Sequence, residues 1–222
     1  MTKGKRLLPL RQPRQRRSRL TYDAILEATT HILIEKGYAA TTTNHIAERA
    51  GISIGSLYQY FPNKEAIAVE LLQRHIVSGP AYMETQLTHF MEYHHSPAKL
   101  VKALIEAACD HHADNPTLHK VLEEEVPHPA HIRAAIQRNE NLFTEAITNW
   151  VEQRYPQQVS NLSVAARLVF VLIKTMTHWY IICQQVEIER EVFVDELTTM
   201  VMRYLFPSPQ KKSSIRVLTN KS

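Results

Sequence analysis

The stretch TTNHIAERAGISIGSLYQYF, residues 42–61, decides the fold. It divides into two short helical segments about Gly51. Two short helices that cross at about 90–120° over a tight turn impose requirements on their residues. A small residue is needed where they touch, and Ala47 supplies it. A glycine is needed where the turn takes positive φ, and Gly51 supplies it. Apolar residues are needed on the inner faces, and Ile46, Ala50, Ile52 and Leu57 supply them. The spacing predicts helices over about Thr43–Ala50 and Ile54–Tyr60, with Thr42 and Ser53 as N-caps. An ordinary helical hairpin needs the same inner residues. The polar outer face and the basic residues upstream favour a helix-turn-helix that meets DNA.

That outer face suits a recognition helix, whose N-terminal residues touch base edges while flanking groups hold phosphates. Gln59 can bond adenine bidentately, and Ile54 can meet a thymine methyl. Gly55 lets the backbone approach closely, and Ser56 lies on the same side. Tyr58 and Tyr60 carry hydroxyls that reach phosphates. Lys64 sits at a helix N-terminus, which favours a phosphate through backbone N–H groups as well as charge.

Working outward, Ile25, Ala28, Ile32 and Leu33 fall at helical spacing. Thr21 with Ala24–Lys36 reads as an amphipathic helix closed by Gly37. Asn63 caps a longer helix opening at Lys64-Glu65. Beyond Gly79-Pro80, helices are predicted over about 81–95, 97–114, 116–125, 129–154, 161–185 and 188–205, with prolines near their boundaries. No sustained strand alternation and no internal repeat occurs. The class is all-α: an N-terminal three-helix DNA-binding domain, then a larger helical bundle. The expected divisions are a basic disordered arm (1–20), a helix-turn-helix domain (21–67), a helical body (68–206) and a basic disordered tail (207–222).

Composition agrees with a globular chain. Of 222 residues, 44% are hydrophobic and 22% charged, which excludes wholesale disorder. Five glycines argue against Gly-rich phosphate loops. Two cysteines, Cys109 and Cys183, exclude a disulfide framework and a cysteine-based zinc site, and suit a reducing compartment. Charge is segregated. Lys3, Lys5, Arg6, Arg11, Arg14, Arg16, Arg17 and Arg19 give residues 1–20 a net +8, and residues 207–222 carry +4, whereas the whole chain is only +4. A basic arm on an acidic body suits a polyanion partner; a charged solubilising tail is the blander alternative. Arg14, Arg16, Arg17 and Arg19 are the arm residues expected on DNA.

Residues about 20–67 closely resemble the DNA-binding domain of the tetracycline-repressor (TetR) family. The matching pieces are Gly37-Tyr38, Thr41-Thr42, Ile46-Ala47, Arg49-Ala50-Gly51-Ile52-Ser53, Gly55-Ser56-Leu57-Tyr58, Tyr60-Phe61 and Asn63-Lys64-Glu65. The resemblance implies phosphate contacts at Thr42, Ser53, Tyr58, Tyr60 and Lys64, and base reading at Ile54, Gly55, Ser56 and Gln59. Two positions depart from it. Thr43 stands where the family usually has an apolar residue, and Ile54 where a polar or charged one is common.

The resemblance also implies that residues 68–206 form an effector-binding and dimerisation domain, with a homodimer through the last two helices. The sequence agrees, since Leu162–Cys183 and Val192–Phe206 are the most apolar segments. Leu168, Val171, Leu172 and Thr175 form a stripe on the first; Phe193, Leu197, Met200, Val201 and Tyr204 are candidates on the second. A largely apolar small-molecule effector is expected between helices of the body, with Tyr82, Phe90, Tyr93, Cys109, His112, Phe143, Trp150, Phe170, His178 and Trp179 as candidate lining. Plain core is the alternative reading of these residues.

Twelve histidines raise the question of a metal. His94-His95 and His111-His112 are adjacent pairs that point in two directions. His128 and His131, after Glu123–Glu125, read as a polar loop that would need a further ligand to hold zinc. The expectation is no metal and no cofactor. No nucleophile elbow, P-loop or His-Glu-x-x-His motif supports an enzyme. Val164–Cys183 contains Arg167, Lys174 and His178 and reads as a buried helix, not a membrane span. The expected protein is a cytoplasmic, homodimeric regulator of transcription, a repressor released from a palindromic operator by its effector. An effector-independent architectural DNA binder and a helical enzyme or carrier are the alternatives.

Overall fold

The computed structural model describes residues 6–11, 13, 15–76, 96–155, 161–183 and 187–207. Among them the regular structure is helical, without strands. The helices are α1 (Arg16–Ala40), α2 (Thr43–Arg49), α3 (Ile54–Tyr60), α4 (64–76), α5 (Pro97–Ala113), α6 (Pro116–Lys120), α7 (Ala130–Arg154), α8 (Leu162–His178) and α9 (Arg190–Leu205). α6 runs into a turn of π-helix at Val121–Glu125, and α8 into another at Trp179–Cys183. The expected helix over 81–95 and the tail from 208 lie outside the described residues.

The helix ends follow local chemistry. Thr42 Oγ1 accepts from the His45 N–H at 3.2 Å, and Ser53 Oγ from the Ser56 N–H at 3.1 Å. Asn63 Oδ1 accepts from the Ala66 N–H at 2.8 Å, opening α4. Each bond satisfies a donor that the first helical turn leaves without a partner. Gly37 (φ 72°) breaks α1 near its C-terminus, and Gly51 (φ 65°) makes the turn between α2 and α3. An L side chain at such a φ costs roughly 1–2 kcal/mol.

α1 starts at Arg16, inside the stretch expected to be a disordered arm. The segment before it is also anchored. The Leu10 N–H donates to the Tyr60 carbonyl at 2.7 Å, and Asn63 Nδ2 donates to the Arg6 carbonyl at 3.0 Å. The basic arm is therefore tied to the end of α3 and the start of α4. Its composition signalled charge, not the backbone bonds that hold it.

The first core joins the DNA-binding helices to the body. Ile25, Leu33, Ile46, Leu57, Phe61, Ile67 and Leu72 are buried in it together with Leu122 and Val126 around the first π turn and Ile132 of α7. Fully burying one such side chain contributes about 1.5–3 kcal/mol, so the two halves share stabilisation. A second core packs α5 against α8 and α9 through Ile105, Cys109, Ala165, Val169, Phe193 and Val201. A third packs α5, α7 and α8 around Leu104, Trp150 and Ala166.

Candidate nucleic-acid interface and sites in the helical body

α2 and α3 cross as their small and apolar residues require: Ile46, Ala47 and Leu57 are buried between them. The outer face of α3 is left to solvent. Ile54 is 38% and Tyr58 45% exposed, and Gly55 and Gln59 are exposed beside them. The side chains there are partly ordered by one another. Tyr58 OH and Thr43 Oγ1 are 3.1 Å apart, and Ser53 Oγ and Ser56 Oγ 2.9 Å apart. A Cβ built on Gly55 meets nothing closer than Ser53 Oγ at 3.9 Å, so the fold itself does not require glycine there. Arg49 pairs with Glu35 at 2.8 Å and locks α2 to α1.

Exposed cations stand in the segment before α1 and in its first turns, elements that meet the end of α3 through the Leu10–Tyr60 bond and the Tyr22–Tyr60 ring contact. Arg16, Arg17 and Arg19 stand in the first turns of α1, which hold no acid. Cations at a helix N-terminus oppose the macrodipole. They weaken the helix start and concentrate positive potential at the surface. Arg6 and Arg11 are brought to the same region by the bonds of the anchored segment.

The body carries three features. An apolar seam between α5, α7, α8 and α9 is closed down to a free volume of about 20 Å³, room for about one water. Leu100, Leu104, Phe143, Ile147, Trp150 and Val169 line it. Second, α8 and α9 expose apolar side chains at helical spacing: Val164, Leu168 and Val171 on one, Val192, Met200 and Tyr204 on the other. Leu162–Cys183 is long and apolar enough by length and composition to cross a membrane. The charges within it and its packing on α5, α7 and α9 fit a helix with one buried and one unpartnered face.

Third, His75 of α4, His111 and His112 of α5, His119 of α6 and His178 of α8 converge. His119 Nδ1 lies 2.8 Å from His75 Nε2, and His119 Nε2 lies 2.9 Å from His112 Nδ1. Glu123, on the first π turn, places Oε1 3.5 Å from His119 Nε2 and Oε2 3.6 Å from His178 Nδ1. Burial drives the His112 imidazole down to about 3 and that of His75 to about 4, with neighbouring His119 and His111 adding to the effect. Burial alone would raise the Glu123 carboxyl. The hydrogen bond and charge of His119, with Lys174 and His178, outweigh it and hold the carboxyl at about 2.

Comparison with known proteins assigns this architecture. Residues 25–71 match the family model for bacterial regulatory proteins of the tetR family, and residues 96–205 match the tetracyclin repressor-like C-terminal domain. The two matches take in more than two thirds of the chain. The chain belongs to the tetR family. The transcriptional regulator YvkB of Bacillus subtilis is 29% identical over 66% of this chain. That match spans 65% of YvkB, just under two thirds of its length. A tetR-family transcriptional regulator of Mesorhizobium loti shares the fold with a TM-score of 0.67 at 17% identity, over 86% of this chain and 98% of that one. The regulator FadR of Bacillus subtilis, solved in complex with stearoyl-CoA, does so with a TM-score of 0.60 at 19% identity, over 83% and 97%.

This tetR-family protein presents Thr42, Ser53, Ile54, Gly55, Tyr58 and Gln59 on its outer face, with Ser56 half-buried among them. Two expected phosphate ligands sit differently. Tyr60 is only 8% exposed, its ring edge-on to Tyr22 with centroids 6.0 Å apart, so it is a core residue. Lys64 turns inward. Its Nζ donates to the Tyr38 and Ala39 carbonyls at 3.0 and 3.2 Å, closing the C-terminus of α1, and lies 4.7 Å from the centre of the Tyr38 ring. Two of its three N–H donors are thereby engaged. Arg14 lies outside the described residues.

The expected effector lining is divided. Phe143 and Trp150 line the cleft, and Phe170 packs on Phe143 with centroids 5.0 Å apart. Cys109 is instead buried in the α5–α8–α9 core. His112 and His178 belong to the imidazole cluster, and Trp179 opens the second π turn. Tyr82, Phe90 and Tyr93 lie outside the described residues. Of the expected dimer residues, Leu168, Val171, Thr175, Met200 and Tyr204 are exposed and Leu172 is half-buried. Phe193, Leu197 and Val201 are buried within the chain. Helical spacing marks an apolar stripe without saying which neighbour covers it.

The imidazole cluster was missed. His75, His119 and His178 are remote in sequence, and only the helix packing joins them. The one local signal is His119 with Glu123, an i,i+4 pair able to chelate from a single helix face.

Proposed function

We propose that this chain is a homodimeric transcriptional repressor, released from a palindromic operator by a largely apolar small molecule. The observation that carries the reading is the outward face of α3, ordered by its own caps and flanked by exposed cations that no acid in the first turn of α1 offsets. Ile54, Gly55, Ser56 and Gln59 then read bases. Thr42, Ser53, Tyr58, the remaining donor of Lys64 and the N-terminal arginines hold phosphates. The apolar faces of α8 and α9 pair with those of a second copy, giving two recognition helices to span successive major grooves about 34–36 Å apart. A dimer seated on its operator excludes other proteins from that DNA. The reading puts the protein with the DNA in the cytoplasm.

The apolar lining between α5, α7, α8 and α9 supports an effector with an aliphatic portion, for which these helices must part, and acyl-CoA thioesters are the first class to test, since FadR of Bacillus subtilis binds stearoyl-CoA. α5 lines the cleft with Leu100 and Leu104 and leads through α6 into the π turn that shares a core with α1. A ligand that spreads α5 from α7 and α8 shifts that turn, and with it the recognition helix. The ligand must bind the released state more tightly for this to work. The helix expected after Gly79, which by the family resemblance would also couple the two halves, lies outside the described residues.

Selection of bound sequences from a random DNA pool, at two salt concentrations, tests the reading. A two-fold motif retained at higher salt is the expected result. Binding without a motif, lost as salt rises, would make the protein an architectural binder. Titration of the operator complex with acyl-CoAs of increasing chain length then tests the effector class, with release expected to follow chain length.

A further inference from the structure

We infer that His112, His119, His178 and Glu123 form a binding site for a divalent transition metal of the zinc class. Four separate elements bring these donors together: α5, α6, the first π turn and α8. The ring nitrogens of the three histidines lie within 4.8 Å of one another. Three imidazoles and one carboxylate make a complete four-coordinate set for zinc. Tetrahedral ligands held at about 2.0–2.1 Å from zinc are roughly 3.4 Å apart. The 2.9 Å between His112 and His119, and the 3.5 and 3.6 Å from the two Glu123 oxygens to His119 and His178, bracket that value, and the imidazole nitrogens, all within 4.8 Å, draw in by at most about 1.4 Å on coordination.

The surroundings support the assignment. His178 Nδ1 is buried and has no hydrogen-bond partner, and it faces Glu123 Oε2 at 3.6 Å, beyond hydrogen-bond reach. A buried polar atom left in this way is costly unless something bonds it. His119 Nδ1 is 2.8 Å from His75 Nε2. Metal-bound histidines are commonly oriented by such a bond from their other ring nitrogen. Glu124 Oε1, 3.6 Å from His178 Nε2, adds a second carboxylate against the site, while Lys174 acts electrostatically against a cation. A second triad, His75, His111 and His119, also brings its nitrogens within 4.8 Å. No carboxylate oxygen of the described residues joins that triad within the same distance, Asp114 acting on it only electrostatically, and it needs the His119 nitrogen that bonds His75 or a rearrangement of that pair. The site with Glu123 is the stronger.

Untagged full-length protein, stripped with chelator and dialysed, is titrated with Co²⁺ and then Zn²⁺. The expected result is one equivalent of Co²⁺ with visible absorption bands of low coordination number, displaced by Zn²⁺, and a rise in melting temperature with zinc. His178→Gln and Glu123→Gln, each shown to be folded by circular dichroism, should weaken binding on the order of tenfold or more. His131→Gln, in the exposed segment after the π turn, and His111→Gln should not. Absence of stoichiometric Co²⁺ or Zn²⁺ binding would overturn the site. So would binding abolished by His111→Gln but kept by His178→Gln, which moves the metal to the other triad. Binding abolished only by His131→Gln would make it an adventitious surface ion.

Discussion

The backbone N–H of Tyr38 donates to the Glu125 carboxylate at 3.0 Å, joining the end of α1 to the first π turn. Gly37, the residue before it, has φ 72°, and a Cβ built on it would lie 3.4 Å from Glu125 Oε2. Gly51 has nearly the same φ, but a Cβ there meets nothing within 4 Å. Gly51→Ala should therefore cost the backbone term alone, about 1–2 kcal/mol. Gly37→Ala should cost that and more, because it also crowds the carboxylate. Urea denaturation of the two variants checks this. Equal losses would mean that the Gly37–Glu125 contact carries no energy.

Glu125→Ala isolates the coupling. The bond to Tyr38 is exposed, so its loss should cost no more than about 1 kcal/mol of stability. Its effect on effector-driven release should be larger, because the body then grips α1 less firmly. Operator affinity with and without effector measures this, and an unchanged ratio of the two affinities would remove Glu125 from the coupling route.

Gly55→Ala separates fold from function. No atom lies closer than 3.9 Å to the added Cβ, and alanine is the better helix former by about 1 kcal/mol. Stability should hold or rise, while operator affinity should fall if the DNA backbone or a base approaches this position. A variant that binds the operator as tightly as the parent would show that the close approach is elsewhere.

Much of the DNA-binding half was legible in the sequence because its signals are local. Thr42, Ser53 and Asn63 each cap within three residues, and Gly37 and Gly51 take the positive φ that their positions demand. Tyr60 and Lys64 sit differently from expectation for a shared reason. Both are amphipathic, and whether the polar end faces water depends on a neighbour from another helix, Tyr22 for one and the end of α1 for the other. The imidazole cluster is the extreme case, since His75 and His178 are about a hundred residues apart in the chain. Secondary structure can be read from spacing; the meeting of distant side chains cannot.

The corrected assignment of α8 and α9 makes a two-sided prediction. Leu168 of α8 and Met200 of α9 are each 53% exposed and Tyr204 47%, whereas Phe193 and Leu197 are buried within the chain. If the proposed dimer forms through this face, Leu168→Asp with Met200→Asp should give a folded monomer and weaken operator binding. Leu197→Ala should instead cost about 2–5 kcal/mol by opening a cavity. Light scattering and circular dichroism separate the two outcomes. A double aspartate variant that stays dimeric would move the interface off this face.

The two cysteines should differ sharply in reactivity. Cys109 is fully buried in the α5–α8–α9 core, and burial pushes its thiol up to about 11, with Arg190 opposing only part of the rise. Near pH 8 roughly one thiol in a thousand would then be ionised, and the thiolate is the form that reacts. Cys183 is exposed at the end of the second π turn. Ellman's reagent should therefore titrate one thiol rapidly in the native protein and two after unfolding, and Cys183→Ser should abolish the rapid phase. A disulfide between the two would require this core to open. Rapid reaction of both thiols in the native protein would show that it does open, and would make the pair a candidate redox switch.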